Sequence, residues 1–282
     1  MSSDPPSPAD GASTASTPAD GRGVVVITGM HRSGTSLLAG LMQAAGVSVG
    51  KRLMEATEFN PRGYFEDLDF QELHEEILAH NGIARGYLDL PHRPLRIEPR
   101  HRERARELIE RRGELPLWGW KDPRTLLFLD MWAELLPDAV FVFIYRDPCQ
   151  VVDSLRRRHD VELLWNFPGA ALMERLGFQR FRLPRAVSMW LLHNRRLVRF
   201  AARHPERCIV LDVAHAADHF DEVVQRLRSD WGLAVHAVDV SELYDSGLLG
   251  VHASPEAVEA CRKNPEVASV HAKLRQLSRG NS

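Results

Sequence analysis

Residues 23–41 constrain the fold most, because an apolar run there leads into a glycine-bounded loop and then into a helical pattern. Val24 to Thr28 form a continuous apolar strand of the kind found inside a parallel sheet. Gly29 and Gly34 bracket four residues, which is the spacing of a loop whose amides and following helix face an anion. The stretch predicts a phosphate-binding loop, and a glycine-rich turn with nothing bound is the alternative for this pattern taken alone.

The positively charged residue of this loop lies between its two glycines. Nucleoside triphosphate enzymes place a lysine directly after the second glycine, but Thr35 stands there, which argues against ATP or GTP chemistry. Arg32 supplies a positive charge instead. The arrangement resembles the loop with which the sulfotransferase superfamily binds 3′-phosphoadenosine 5′-phosphosulfate (PAPS). The resemblance implies that the 5′-phosphosulfate end of the donor is bound by His31, Arg32, Ser33, Gly34, Thr35 and Ser36.

A second buried strand, residues 140–145, runs directly to Arg146, and Asp147 can cap the helix that follows, with Gln150 completing a capping box. Ser154 lies seven residues after the cap, about two helical turns, so it returns to the face on which the helix begins. It can therefore share an anion with Arg146. This pair resembles the arginine and serine with which the superfamily holds the 3′-phosphate of PAPS.

Between these motifs, the aromatic strand 117–120 ends in Lys121 and Asp122. Ligands of an open α/β sheet lie beyond the carboxyl ends of the strands, where these two residues would lie. An ion pair of Asp122 with Arg124, or a helix cap by Asp122, is the alternative. The stretch also resembles the lysine segment of several sulfotransferase branches, which implies that Lys121 stabilises the group being transferred.

The catalytic base has three candidates. Pro123 stands where the cytosolic branch of the superfamily has a histidine, so that assignment fails. Branches that act on protein tyrosine or glycosaminoglycans use a glutamate some distance after the loop, and by this resemblance Glu66 is the first choice. Asp122 is the second and His31, whose imidazole suits proton transfer, is the third. For Glu66 the alternative is a role at the start of a helix, where acidic residues complement the helix dipole.

Composition and charge limit which binding partners and which cellular location are expected. A net charge of −2 gives no general field for nucleic acid or a membrane, and the densest basic cluster, residues 156–158, is interpreted as the solvated face or end of a helix. Three widely spaced cysteines fit a reducing cytoplasm and no zinc site. No apolar run approaches the length of a bilayer span, and the N-terminus lacks a signal-peptide core. We therefore expect a cytoplasmic protein without an integral membrane segment, and the oligomeric state stays open.

The order of elements predicts a three-layer α/β/α sandwich with a central parallel sheet, of the P-loop type that the resemblance implies. Residues 1–22 are expected to form a disordered tail and residues 23–282 the sulfotransferase domain. The aromatic-rich segment 160–182 is interpreted as a lid or an acceptor-facing segment. Predicted helices span residues 34–45, 66–80, 99–112, 125–135, 184–203, 218–230 and 254–277.

The resemblance covers residues 23–155 and implies a PAPS-dependent sulfotransferase that needs no metal. Such an enzyme transfers a sulfuryl group from PAPS to a hydroxyl, here of a carbohydrate, a lipid-linked glycan or a small metabolite. Proteins with two other functions have a similar loop. A P-loop kinase of a small molecule would require Mg²⁺ and ATP, and a non-catalytic adenine-nucleotide-binding protein would have no functional base.

Overall fold

A parallel sheet with strand order β2-β1-β3-β4 forms the middle layer of the part of the chain that the structure describes. The structure is a computed structural model that describes residues 21–54, 64–83, 94–166, 182–242 and 252–280. The strands are β1 Gly23–Thr28, β2 Leu117–Lys121, β3 Val140–Tyr145 and β4 Cys208–Asp212. Because β1 lies between β2 and β3, the chain changes direction across the sheet beside β1. In open α/β sheets such a switch point is where ligands bind.

Nine helices with defined bounds lie within the described residues. They are α1 Thr35–Ala44, α2 Leu68–His80, α3 Pro99–Arg112, α4 Leu129–Leu135, α5 Pro148–Asn166, α6 Arg182–Arg203, α7 Phe220–Ser229, α8 Pro255–Arg262 and α9 Pro265–Arg279. None of these helices has the length and apolar character to cross a membrane.

The helices cover both faces of the sheet. Side chains alternate along each strand, so Phe141 and Phe143 of β3 point to one face while Val142 and Ile144 point to the other. The first face packs against α2 to α6, α8 and α9, and the second packs against α1 and α7. The predicted three-layer α/β/α fold with a parallel sheet is thereby confirmed.

Two predicted helices are each divided into two. The stretch 125–135 consists of a 3₁₀ turn, Pro123–Leu127, followed by α4, because the side chain of Asp122 caps the turn and Phe128 leaves the helical conformation at φ −128°. The stretch 254–277 divides at Asn264, whose side chain caps α9 with Pro265 in its first position.

Helix α2 begins at Leu68 rather than at residue 66, because Asp67 is its N-cap and accepts a hydrogen bond from the amide of Asp69. The other predicted helices agree with the structure to within about two residues, an ordinary difference for helix ends. Residues 1–20 of the predicted tail and residues 167–181 of the predicted lid lie outside the described residues.

Candidate active site

The loop between β1 and α1 offers backbone and hydroxyl donors to an anion. Gly34 has φ +91°, in the left-handed region that glycine adopts without strain, and it starts α1 without a side-chain cap. The first amides of α1 are therefore open toward the loop. Arg32 has φ +67°, an uncommon conformation for a residue with a side chain. Ser33 is buried, and its Oγ has no hydrogen-bond partner within the described part of the chain.

The loop contacts the start of α5 directly. Arg32 Nε donates to Ser154 Oγ at 2.9 Å, so residues 122 positions apart meet at the same edge of the sheet. The sequence placed Ser154 beside Arg146, whereas the structure joins it to the loop. Arg146 Nε donates to Gln150 Oε1 at 2.8 Å. Asp147 caps α5 as predicted, by accepting from the amide of Gln150 at 3.1 Å, but the Gln150 side chain is bound to Arg146.

Positive charge is concentrated beside this contact. Desolvation, and then the nearby charge of Arg157, lower the pKa of Arg146. Arg157 is bound to Asp153 on its own helix, and its side chain is 45% exposed, in keeping with the predicted solvated helix face. An anion bound between the loop and α5 would offset these positive charges.

Lys121 ends β2 on the other side of the loop, and its side chain is 2% exposed. Its Nζ donates to Glu66 Oε1 at 2.9 Å, to the carbonyl of Tyr64 at 2.9 Å and to Ser36 Oγ at 3.4 Å. Ser36 is in the first turn of α1, so Lys121 links the loop helix to the segment that carries Glu66. The structure therefore brings together the predicted base and the predicted stabilising lysine.

Arg124 extends this contact into a continuous group of charges. Its Nη1 lies 3.4 Å from Glu66 Oε2 and 2.9 Å from Asp122 Oδ1, and Asp122 Oδ1 also accepts from the Arg124 amide at 2.9 Å. Both alternatives for Asp122, the ion pair and the helix cap, are thus present. We call Glu66, Lys121, Asp122 and Arg124 the buried charge network.

Asp122 is held further by two residues that the sequence analysis missed. His74 Nδ1 lies 2.7 Å from Asp122 Oδ2, and Trp132 Nε1 donates to His74 Nε2 at 2.9 Å. Since Nε2 accepts the indole hydrogen, Nδ1 carries the proton that it donates to Asp122. Burial raises the pKa of Asp122, but the charge of Arg124 and the hydrogen bond from His74 outweigh it and lower the pKa well below its usual range.

Helix α6 supplies two further polar side chains that the sequence did not single out, His193 and Asn194, and both are fully buried. The ring of His193 packs edge-on against His31, with 6.4 Å between the centroids. Asn194 Nδ2 lies 3.8 Å from the sulfur of Met30. The only sequence sign of these residues is a polar pair inside the apolar pattern of a long helix.

His31 is half-buried between α6 and the buried charge network. Desolvation, then the charge of Arg124 and the neighbouring His193, lower the pKa of His31 well below its ordinary value. The side chain of Thr35 is buried at the start of α1. All eleven predicted site residues therefore lie at the loop, in the buried charge network or at the start of α5.

Comparison with known proteins identifies the family. A model of the sulfotransferase family matches residues 24–237, about three quarters of the chain. The chain belongs to the sulfotransferase family. This confirms the superfamily expected from the loop and from the Arg146 to Ser154 spacing, and it makes the protein a transferase.

Solved sulfotransferases resemble this one at low identity. A sulfotransferase from Alicyclobacillus acidocaldarius is 16% identical, with a TM-score of 0.48, and the match covers 92% of this chain and 96% of that one. The sulfotransferase domain of the curacin biosynthetic pathway is 13% identical, with a TM-score of 0.46 and coverage of 86% and 97%. The sulfotransferase domain of the Synechococcus PCC 7002 olefin synthase is 14% identical, with a TM-score of 0.44 and coverage of 94% and 96%. A comparison with curated proteins finds no significant match.

Proposed function

We propose that this sulfotransferase takes PAPS as its donor and transfers the sulfuryl group to a hydroxyl of a carbohydrate, a lipid-linked glycan or a small metabolite. The observation that carries the proposal is the hydrogen bond between Arg32 Nε and Ser154 Oγ. It joins the residue predicted for the 5′-phosphosulfate to a residue predicted for the 3′-phosphate. A donor with an anionic group at each end would place both groups at this edge of the sheet.

The residues of the loop fit an anionic donor. Ser33 Oγ is a buried hydroxyl without a partner in the described part of the chain, and a phosphate or sulfate oxygen would accept its hydrogen. Strain such as the left-handed conformation of Arg32 is commonly retained where a ligand is bound. We assign the 5′ end of PAPS to residues 31–36 and the 3′-phosphate to Arg146 and Ser154.

PAPS, when bound, supplies an activated sulfuryl group. Lys121 is placed to offset negative charge that develops there, because its ammonium lies beside Ser36 in the first turn of α1. Its charge is balanced by Glu66 and it is shielded from water, so it needs little reorganisation during the reaction.

The proton of the acceptor hydroxyl goes to Glu66 in this proposal. Lys121 and Arg124 each hold one oxygen of its carboxylate, which fixes the orientation of the group. Asp122, the second candidate, accepts hydrogen bonds from His74 and from two nitrogens of Arg124. The Asp122 side chain is fully buried, whereas that of Glu66 is 9% exposed, so we assign Asp122 a positioning role, and His31 contacts the donor.

The class of acceptor substrate and the cellular location are inferred from the net charge and the cysteines. A net charge of −2 provides no general attraction for a long acidic polymer, so a neutral small molecule or glycan is favoured. Cys149, Cys208 and Cys261 are all free thiols, as is usual in the cytoplasm, where we place the protein.

The donor is tested by the melting temperature of the protein with 3′-phosphoadenosine 5′-phosphate (PAP) and, separately, with ATP and Mg²⁺. Wild type should be stabilised by PAP, by about 2.7 kcal/mol at a hundredfold excess over the dissociation constant. Arg146→Ala should abolish most of this shift. Arg203→Ala, which removes an exposed arginine paired with Asp130, is the matched control and should keep it. Stabilisation by ATP and Mg²⁺ alone would contradict the proposal and indicate a kinase.

A further inference from the structure

Helix α6 places two buried hydrogen-bond acceptors beside the loop. His193 and Asn194 lie in the middle of the helix, and neither side chain is exposed. In each of them one polar atom is paired and the other, His193 Nε2 or Asn194 Oδ1, has no partner within the described ranges. We call Ser33 Oγ, His193 Nε2 and Asn194 Oδ1 the orphan set.

The paired atoms define what the unpaired atoms can do. His193 Nδ1 lies 2.9 Å from the carbonyl of Met189, and because a carbonyl only accepts, Nδ1 carries the hydrogen. Nε2 therefore carries a lone pair and acts as an acceptor. Asn194 Nδ2 donates to the carbonyl of Trp190 at 2.8 Å, which leaves Oδ1 as a second acceptor. Both bonds run back to the preceding turn of α6, so they hold the side chains without satisfying these two atoms.

The two hydrogen-bond acceptors of α6 lie close to the residues assigned to the reaction. The His193 ring contacts His31, and Asn194 contacts Met30, so both border the loop assigned to the donor. His31 is in turn close enough to Lys121 and Arg124 for their charges to affect it. His31 therefore neighbours both the buried charge network and His193.

The donor's anionic end is unsuited to these atoms. Phosphate and sulfate oxygens accept hydrogen bonds, so they would be repelled by the lone pairs of Nε2 and Oδ1. A hydroxyl donates, so each of these two buried acceptors suits one hydroxyl hydrogen.

We propose that His193 and Asn194 bind the acceptor substrate, and that this substrate is a polyhydroxylated molecule presenting two neighbouring hydroxyls. The inference rests on the proposed function, because it takes the loop as the site of PAPS. It deepens that function by naming the side from which the acceptor is bound and the class to which it belongs. The acceptor substrate lies against α6, where one of its hydroxyls donates to His193 Nε2 and the neighbouring hydroxyl donates to Asn194 Oδ1.

The test uses two probes that differ by one hydroxyl, cyclohexanol and trans-1,2-cyclohexanediol. Protein with ¹⁵N-labelled histidine is first saturated with PAP and then titrated with each probe, and the imidazole nitrogen resonances are followed. The His193 resonances are identified by their loss in His193→Phe. The diol should move the Nε2 resonance of His193 and bind about tenfold more tightly than cyclohexanol, as expected for one additional hydrogen bond.

Variants then separate binding from folding. His193→Phe and Asn194→Leu keep the ring or the branched shape of each side chain and remove the acceptor atom, so each should reduce the preference for the diol to about twofold or less. Their melting temperatures should still rise with PAP. His204→Phe, just beyond the end of α6, is the matched control and should keep the tenfold preference.

Each failure has a separate meaning. A wild-type protein that does not bind PAP overturns the proposed function together with this inference. Binding of PAP without any effect of the diol on His193 overturns the acceptor subsite alone. Full retention of the diol preference in both folded variants also overturns it, because the second hydroxyl would then be bound elsewhere.

Discussion

The buried charge network and the orphan set both contact the loop, and they differ in that most polar atoms of the network are paired. Lys121 makes three contacts, and both oxygens of Asp122 accept hydrogen bonds. In the orphan set, by contrast, three buried polar atoms have no partner in the described residues.

This difference distinguishes residues that hold the site in place from residues whose polar atoms are left to bind a ligand. Removing one partner of a buried ion pair is costly, because the other charge is then left buried without compensation. A buried polar atom left unpaired lowers stability until a ligand pairs it. Substitutions in the network should therefore reduce stability or turnover, whereas substitutions in the orphan set should reduce ligand binding.

The largest effect is expected at Asp122. Asp122→Asn removes the charge that pairs with Arg124 inside the protein, so the free energy of unfolding should fall by about 3–5 kcal/mol. Denaturant unfolding measures this. Asp130→Asn makes the same change in a carboxylate that is 75% exposed and pairs with Arg203, and it should cost less than about 1 kcal/mol. Equal losses in the two variants would remove the contrast between the network and the surface.

The second effect concerns acid stability. Burial lowers the pKa of His193 from 6.5 to about 4, so between these values the unfolded chain binds a proton that the native protein does not. Stability due to this neutral histidine is complete above about pH 6.5 and is lost as the pH falls toward 4. A shift of this size corresponds to about 3 kcal/mol.

His193→Phe should remove this contribution, so its free energy of unfolding should fall less than that of wild type between about pH 7 and about pH 4.5. The measurement is denaturant unfolding at both pH values. His204→Phe controls for the loss of a histidine near this helix. Parallel pH dependence in wild type and His193→Phe would show that the pKa of His193 is the same in the native and the unfolded protein.

A third prediction tests the base. Glu66→Gln keeps the shape of the side chain but removes the proton acceptor, so turnover of PAPS should fall 10²-fold or more while PAP binding changes little. Glu75→Gln is the matched control, because Glu75 also contacts Arg124, at 3.3 Å, from the half-buried end of the network. If the two variants turn over equally, Glu66 is not the base.

The smallest effect is expected at Ser33, and it separates the two regions most clearly. Ser33→Ala removes a buried hydroxyl with no partner in the described part of the chain, so stability without ligand should not fall and should rise by about 1 kcal/mol or less. PAP binding should weaken about tenfold, which isothermal calorimetry would measure. Ser229→Ala, on the surface of α7, should alter neither quantity. A strong loss of stability in Ser33→Ala would place Ser33 with the residues that build the site.

Local patterns were sufficient for much of the fold. The apolar run before Gly29 and the run before Arg146 both form buried parallel strands, and the alternation of strands and helices predicted the three layers. Predicted helix boundaries were less accurate where a side chain caps a helix or a turn. Asp122 caps a 3₁₀ turn and Asn264 starts a new helix, and hydrophobic periodicity does not distinguish such caps from a continuous helix.

That the candidate residues at the ends of the strands lie close together could also be predicted, because the carboxyl ends of parallel strands meet at one edge of the sheet. His74, Trp132, His193 and Asn194 could not. Each is a single polar or aromatic residue in an otherwise apolar helical pattern, and in the sequence such a residue looks like ordinary core packing.

The sequence by itself determined the glycine-bounded loop, the Arg146 to Ser154 spacing and the order of strands and helices, because these depend on residues close together in the chain. Only the tertiary structure decided which charges are paired and which polar atoms are left for a ligand. Arg32 meets Ser154 across 122 residues, and Lys121 meets Glu66 across 55. Contacts at such separations arise from the packing of the helices on the sheet, which sets the distances that pairing requires.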